Sequence, residues 1–354
     1  MNNPYKKCIA GMALAIVANT SWAHEVYLRA EQFSQLLPGG VSTVMWGYSE
    51  CTTADFLSCS APSSPGPAIE VPVGDSLLNI TLSNTLPVTT SLYIPSLSKP
   101  LSPRFATVDA GNVITDDGAT STASNRVISF DTEVSTGGAV ATYSWVAVTP
   151  GTYVYQSGTH IQRQVHMGLY GVVSQVADCA GTPCAYTGNN TDVRTYNDDA
   201  TFDVAATITF SEIDDTLHPA SIGIDASSVN ATIDGYLPSY FLVNGASADA
   251  STAAQVLATV AVGETLLLRV VNASLRSISP QLIGGYFSIV GEDGNRVPVK
   301  KEQHTLLLPA QKTFDLLFNP VLAGDYVFYD RRMNLVSPDG SRTGMLGVIT
   351  VTGS

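Results

Sequence analysis

Metal coordination is the first chemistry that the histidines of this 354-residue sequence could support. There are five of them: His24, His160, His166, His218 and His304. Imidazole is a good ligand for copper, zinc and related ions. Alternate residues of a strand face the same side, so two histidines separated by one residue could bind the same metal cluster. No two of the five have that spacing.

A single-ion site is the best local alternative. His160, His166 and Met167 lie close together in sequence, and two imidazoles with a thioether could hold copper or another soft ion. The competing interpretation makes His160 an exposed loop residue and packs or hydrogen-bonds His166 at the start of the next strand. A second candidate is His24. If it begins the mature chain, it could offer both its amine and its imidazole to copper; the alternative is that it is an ordinary first residue.

The remaining candidates give weaker signals. His218, in the sequence DDTLHPA beside Asp214 and Asp215, is interpreted as part of a solvated turn. No Ser-His-Asp order, phosphate-binding loop or zinc spacing is recognisable.

The first 23 residues predict export. They combine a basic start (Lys6 and Lys7), an apolar run over residues 8–18 and a small-x-small end at residues 21–23. These are the parts of a cleaved secretory signal, which places the mature protein in the periplasm, outside the cell or on its surface. The apolar run is shorter than the roughly 20 residues of a membrane span, and no later stretch is longer, so no transmembrane segment is predicted.

Charge and cysteine content limit the partners and the chemistry. Lys6 and Lys7 belong to the signal, which leaves 15 basic residues against 30 acidic ones and a net charge of −15. Such a surface repels phosphate backbones, so nucleic acid is not expected as a partner. Two close cysteine pairs, Cys51 with Cys59 and Cys179 with Cys184, favour two local disulfides among three possible connectivities. With both pairs oxidised, no thiolate remains for a blue-copper centre.

The composition and residue pattern of the chain are typical of an all-β protein. Charged residues make up only 13%, and turn clusters recur between short alternating runs rich in Thr, Val and Ser. Residues 64–86, SPGPAIEVPVGDSLLNITLSNTL, predict a hairpin of AIEVPV with LLNITLSNTL. Residues 151–173 predict a strand at GTYVY, a polar loop and a second strand at GLYGVV.

These motifs resemble those of the multicopper oxidases. The PGP, GD and Asn-containing string resembles the start of that family's first domain, and GTYVYQSG followed by GLYG resembles its end. A second set, including SYFLVNG, VGETLLLRVVNAS and AGDYVFYD, resembles a later domain. The resemblance implies two Greek-key cupredoxin-like β-sandwich domains. We expect the signal at 1–23, the first domain at 24–175, a linker with a cysteine pair at 176–205 and the second domain at 206–354.

The resemblance also assigns positions to the family's copper ligands. The four His-x-His pairs fall on Tyr93 and Pro95, Gln156 and Gly158, Leu282 and Gly284, and Tyr329 and Arg331. None of the eight is histidine. The electron-accepting copper would use Ser279, Asp330, Leu335 and Met345, of which only Met345 matches a family ligand. An ion pair of Asp330 with Arg331 or Arg332 is expected to fill that place.

The sequence therefore predicts an exported multicopper-oxidase-like protein without the cluster ligands, acting as a non-catalytic binding or structural module. No cofactor is expected, although copper is possible. A homo-oligomer or a cell-surface protein is the expected partner, because sandwich edge strands can dock other chains. The alternatives are a secreted copper-dependent oxidase of metal ions or phenols with a non-standard or intermolecular site, and a single-site copper-binding protein.

Overall fold

A computed structural model describes residues 23–108, 114–119, 125–188, 199–218, 236–247, 255–338, 340 and 344–353. The predicted signal peptide, except its last residue, lies outside the described residues. Within those ranges no helix has the length and apolar character needed to cross a membrane.

The first half of the chain forms a β-sandwich, here called the first sandwich. Its main sheets have the strand orders β2-β1-β4-β8 and β3-β10-β9, and β6-β5-β7 form a small third sheet. The short helix α1, Ile161–His166, stands between β9 and β10, where the sequence predicts a loop. The strands are β1 Ala23–Leu37, β2 Val41–Cys51, β3 Ile69–Val71, β4 Leu77–Asn84, β5 Arg104–Val108, β6 Ile114–Ala119, β7 Asn125–Ser129, β8 Ala139–Val146, β9 Gly151–Gln156 and β10 Tyr170–Gln175.

The second half forms the second sandwich. Its sheets have the orders β14-β13-β16-β20-β18-β19 and β15-β22-β21-β17. The strands are β13 Val204–Ile213, β14 Tyr240–Val243, β15 Val256–Ala261, β16 Leu266–Asn272, β17 Pro280–Leu282, β18 Phe287–Glu292, β19 Asn295–Gln303, β20 Thr313–Phe318, β21 Gly324–Asp330 and β22 Leu346–Thr352. Between the sandwiches, β11 Ala177–Cys179 and β12 Thr182–Cys184 form a small hairpin.

The two sandwiches share one topology. The order β2-β1-β4-β8 corresponds to β14-β13-β16-β20, and β3-β10-β9 corresponds to β15-β22-β21. In both halves the first strand pairs in parallel with the third strand of its sheet, as β1 does with β4 and β13 with β16. The all-β fold of two Greek-key sandwiches is therefore as the sequence predicts.

A buried asparagine ends the equivalent strand of each half. Asn84, at the end of β4, donates from Nδ2 to the carbonyls of Val88 and Val134, and its Oδ1 accepts from the backbone of Leu86. The partners of Asn272, at the end of β16, are the carbonyls of Arg276 and Leu308 and the N–H of Ser274. The local offsets in sequence, four and two residues, are the same in both halves. We call these two arrangements the asparagine corners.

Replacement of either corner asparagine by alanine should destabilise the protein by about 2–4 kcal/mol, because three hydrogen bonds are lost and their backbone partners stay buried. Urea denaturation of N84A and N272A measures this loss. N79A is the control on the same strand as Asn84, because its side chain makes one exposed hydrogen bond to Glu25, and it should lose less than about 1 kcal/mol. Equal losses in N84A and N79A would contradict a structural role for the corner.

Two glycines of the recognised motifs make room for one tyrosine. A β-carbon on Gly171 would lie 2.2 Å from the ring of Tyr155, and one on Gly66 would lie 2.5 Å from the hydroxyl of Tyr155. That hydroxyl donates to the carbonyl of Pro67 at 2.7 Å. The PGP and GLYG motifs therefore serve packing of the first sandwich.

The sandwiches pack against each other through β9 and its neighbours. Tyr153 and Tyr155 of β9 point into the first core, as the alternation predicts, while Val154 packs on Val271 of the second sandwich. At the same interface Thr152 donates to Asp315, and Arg269 donates to Thr152 at 2.7 Å.

Two sequence expectations need correction, and one is confirmed. The predicted hairpin of AIEVPV with LLNITLSNTL is wrong: β3 pairs with β10 and β4 with β1 and β8, because the turn at Gly74 carries the chain from one sheet to the other. The stretch predicted as an aperiodic linker contains a hairpin and packs Tyr186 beside Leu267 and Val290 of the second sandwich. Both predicted disulfides are present, Cys51 with Cys59 and Cys179 with Cys184.

Candidate functional site

Two histidine rings meet at the interface between the sandwiches. His166 is the last residue of α1, and His218 follows the 3-10 turn Asp215–Leu217 after β13. Their Nε2 atoms are 2.8 Å apart, and both residues are buried. The ring of Tyr236 lies edge-on to His166, with centroids 5.1 Å apart. The structure thus unites one histidine from each half of the chain.

Hydrogen-bond partners fix the tautomers of this pair. The Nδ1 of His218 lies 3.0 Å from the carbonyl of Val44, which can only accept, so Nδ1 carries the proton. In neutral His218 the Nε2 is then an acceptor, and the Nε2–H of His166 donates to it. The Nε2 of His166 also lies 3.3 Å from the carbonyl oxygen of Asp214. The Nδ1 of His166 keeps its lone pair and has no partner among the described residues.

Both rings are neutral near pH 7. Burial lowers the pKa of His166 well below its usual value, and the neighbouring His218 and Arg163 act in the same direction. Burial also lowers the pKa of His218 to about 4, against an opposing effect of its bond to Val44. A neutral imidazole is the form that binds metal ions.

Local structure explains how each histidine reaches the interface. His160 precedes α1 with φ of 40°, a left-handed conformation that turns the chain into the helix. Asp214 caps the 3-10 turn, accepting from the backbone N–H and hydroxyl of Thr216, and its Oδ2 accepts from the N–H of Leu237. This cap orients the turn and places the ring of His218 beside the carbonyl of Val44.

The expectation that His218 lies in a solvated turn is therefore wrong, because the residue is only 3% exposed. The Asp-x-Thr spacing of Asp214 and Thr216 signals the capped turn, but no local pattern reveals that the other sandwich covers it.

The three residues of the predicted single-ion site lie in different surroundings. His160 is half-buried at the start of α1, and its backbone N–H donates to Ile128. The side chain of Met167 packs in the apolar core of the first sandwich. His166 directs its Nε2 to His218 across the interface. The site predicted as His160, His166 and Met167 remains a hypothesis, and the observed contact of His166 is with His218.

Arg163, one turn before His166 on α1, is also buried. It is 6% exposed, and its Nε and Nη1 have no hydrogen-bond partner among the described residues. Burial lowers the pKa of Arg163 from its usual value. Its positive charge also lowers the pKa of both His166 and His218.

Hydroxyl groups surround the first-sandwich positions that the resemblance assigns to copper ligands. The ring of Tyr93 stacks on Phe130, with centroids 5.4 Å apart, and a β-carbon on Gly158 would lie 2.8 Å from the Oγ of Ser91. Gln156 is buried, and its backbone pairs with that of Tyr93. The neighbouring buried side chains hydrogen-bond one another at 2.6–3.2 Å; they are Thr90, Ser91, Ser129, Ser157, Thr159 and Gln164. Such a network of neutral donors and acceptors is a self-satisfied structural element.

The corresponding positions of the second sandwich differ in burial. Leu282 is 1% exposed and belongs to the apolar core, and Gly284 has φ of 88° in a tight turn. Tyr329 is half-buried and Arg331 is exposed. Met345 is fully buried in the same core as Leu282, as expected for a packing residue.

Asp330 stands where the resemblance places the cysteine ligand of the electron-accepting copper. Its buried carboxylate accepts from the backbone N–H groups of Ser279 and Arg332 and from the side chain of Asn334. The guanidinium of Arg332 donates instead to the carbonyl of Ser277. The expected ion pair of Asp330 with Arg331 or Arg332 does not form in the described structure, because neutral donors already satisfy the carboxylate.

Solved structures share this arrangement of two sandwiches. A blue copper oxidase from Nitrosomonas europaea aligns with a TM-score of 0.65 at 16% identity, covering 93% of this chain and 86% of that one. This chain has the cupredoxin fold of the multicopper oxidases. A copper nitrite reductase from Nitrosomonas europaea has a TM-score of 0.62 at 17% identity, with 94% of each chain covered. For a multicopper oxidase from Pseudomonas thermotolerans the values are 0.60 and 15%, with 95% of this cupredoxin chain and 65% of that chain covered.

Sequence comparison adds nothing to this likeness. No family model matches the chain, and no curated protein matches it. Identities of 15–17% show the fold, and the chemistry has to be argued from the residues.

The residues present do not fit the family's copper cluster. A cluster of that kind needs several converging imidazoles, and the eight assigned positions hold none. In the described part of the cupredoxin chain, no three His, Cys, Asp or Glu side chains are placed to hold one metal ion. The four cysteines after the predicted signal are paired in disulfides, so none offers a thiolate.

Proposed function

We propose that this protein is an exported, non-catalytic binding or structural module built on the multicopper-oxidase scaffold. The observation that carries the proposal is that two positions assigned by resemblance to copper ligands, Leu282 and Asp330, hold side chains with structural roles. Leu282 is part of an apolar core, and Asp330 is saturated by three neutral donors. Restoring copper there would require removing groups that stabilise the fold.

The electron-transfer step has no counterpart among these residues. Multicopper chemistry needs a thiolate-bearing copper to accept electrons and a cluster to reduce oxygen. Asp330 offers a carboxylate oxygen, a ligand that suits hard cations. A blue-copper centre needs a thiolate instead. The proposal therefore assigns no redox reaction to the cupredoxin domains.

Copper loading of the purified chain tests the proposal. We expect at most one tightly bound copper per chain after dialysis, no blue absorption and no oxygen consumption with a phenolic substrate. The blue copper oxidase from Nitrosomonas europaea, treated in parallel, is the positive control. Several tightly bound coppers per chain together with oxygen consumption would establish the rival function, a secreted oxidase with a non-standard or intermolecular site.

Export and self-association form part of the proposal. The apolar run and small-x-small end at residues 8–23 support transfer out of the cytoplasm, and both disulfides suit an oxidising compartment. Edge strands and the low charge content support association with copies of itself or with a cell-surface protein. Cell fractionation and light scattering of the purified chain test these points; a reduced, cytoplasmic, full-length protein would contradict export.

A further inference from the structure

The histidine pair at the interface has features that a structural hydrogen bond alone does not need. Two Nε2 atoms converge from different sandwiches, and a carbonyl oxygen, that of Asp214, lies 3.3 Å from one of them. None of these residues falls on the eight positions assigned by resemblance to the copper cluster. The pair is thus a separate arrangement of donor atoms.

We propose that His166 and His218 bind a single borderline divalent ion, Cu²⁺ or Zn²⁺, between the sandwiches. Each ring supplies Nε2, and the Asp214 carbonyl oxygen is placed to complete the protein ligands. Imidazole nitrogen suits both ions, and affinity at such N and O sites is greatest for Cu²⁺.

The orientation of His218 supports this assignment. A metal-ligating histidine usually donates its other ring N–H to a carbonyl or carboxylate, which fixes the tautomer and the direction of the ligand lone pair. His218 does this through Nδ1–H to Val44, so its Nε2 lone pair already points at the proposed ion.

His166 can change tautomer without losing a bond from Nδ1. When the ion binds, the Nε2 proton of His166 leaves for solvent, and Nδ1 takes up a proton in its place, so no net proton is released from the ring. Nδ1 has no partner among the described residues, so no existing hydrogen bond is broken at that atom.

The geometric change needed is small. With metal–nitrogen distances of about 2.0 Å, two nitrogens in tetrahedral coordination lie about 3.3 Å apart. The observed separation is 2.8 Å, so the rings need to move apart by about half an ångström.

The surrounding charges decide how strongly a cation is held. Asp214 and Asp215 both act electrostatically on His218 and favour positive charge there, while Arg163 opposes it. Asp214 directs its carboxylate oxygens to Thr216 and Leu237, so it contributes charge and a carbonyl but not a carboxylate ligand. Of these three residues, only Arg163 is positively charged, so its removal should strengthen binding of the ion.

Calorimetric titration with Zn²⁺ and Cu²⁺ tests the site. The wild-type chain should bind one ion, and H166Q and H218Q should each bind at least about tenfold more weakly. H304Q is the matched control, because His304 is exposed on the second sandwich, and it should bind as the wild type does. H160Q and M167L test the site predicted from sequence and should also leave the affinity unchanged.

A gain of affinity separates metal binding from a purely structural role. R163M removes a buried positive charge whose Nε and Nη1 have no partner, so it should tighten binding about tenfold. Zn²⁺ should also shift the ring ¹⁵N resonances of His166 and His218 in the wild type, which does not depend on any variant folding.

The proposal is overturned if the wild type binds neither ion at millimolar concentration, or if H166Q and H218Q keep the wild-type affinity. It is also overturned if H160Q and M167L, but not H218Q, lose binding. Several coppers per chain with oxygen consumption would instead overturn the proposed function, and the response of the variants to Zn²⁺ would still report on this site.

Discussion

Replacing Asp315 with alanine is expected to lower the free energy of unfolding by about 3–5 kcal/mol. Asp315 is 1% exposed and lies beside Arg269, which is also buried, with 3.5 Å between Oδ1 and Nη1. It also accepts hydrogen bonds from Thr152 and Tyr186, two residues that precede the second sandwich in sequence. Without Asp315, Arg269 would keep a buried charge with no counter-ion, and that desolvation cost dominates the loss.

Urea denaturation followed by tryptophan fluorescence measures this loss. D315N should lie between D315A and the wild type, because an amide oxygen can still accept from Tyr186 but carries no charge. D325A is the matched control: Asp325 is an exposed aspartate of the second sandwich that accepts from Thr350, and its loss should stay within about 0.5 kcal/mol. A loss below about 1 kcal/mol in D315A would show that the buried ion pair of Arg269 with Asp315 contributes little to stability.

Acidification of the metal-free protein is expected to remove about 3 kcal/mol of stability between pH 6.5 and pH 4 through His218. Burial lowers the pKa of His218 to about 4, whereas the unfolded chain titrates near 6.5. Burial also lowers the pKa of His166, so that residue adds to the loss.

The protein loses stability on acidification because the unfolded chain takes up a proton first. Below pH 6.5 the unfolded chain binds a proton at His218 and the folded chain does not, so stability falls as the pH falls. The slope is about 1.4 kcal/mol per pH unit until the folded form also takes up the proton near pH 4. The charge of Arg163 opposes protonation of His218, and the charges of Asp214 and Asp215 favour it. All three therefore affect the pH at which folded His218 takes up its proton.

Chemical denaturation at several pH values, with a chelator present, gives the measurement. The H166Q/H218Q double variant should lose the slope between pH 6.5 and pH 5, where the carboxylates contribute little. A wild-type curve that is flat over that interval would mean that the histidines are not buried as neutral groups.

Alternation along single strands was enough to predict much of this fold. The pattern of Tyr153 and Tyr155 against Thr152 and Val154 gave β9 and the direction of its side chains, and close cysteine spacing gave both disulfides. Each of these signals depends on neighbours within a few residues.

Features that depend on contacts distant in sequence were missed. The strands β3 and β4 look like hairpin partners, since a turn joins them, but the core requires them in opposite sheets. The burial of His218 depends on Val44, 174 residues away, and no local pattern encodes such a contact. The sequence favoured an arginine partner for Asp330, whereas its partners are neutral N–H donors from loops whose path the sequence does not show.

The asparagine corners bear on how far the fold depends on a bound ion. Each corner ties a strand end to its neighbours with amide hydrogen bonds alone, and neither uses a group from the positions that the resemblance assigns to copper ligands. An ion bound or removed at those positions should therefore leave both strand ends anchored as they are.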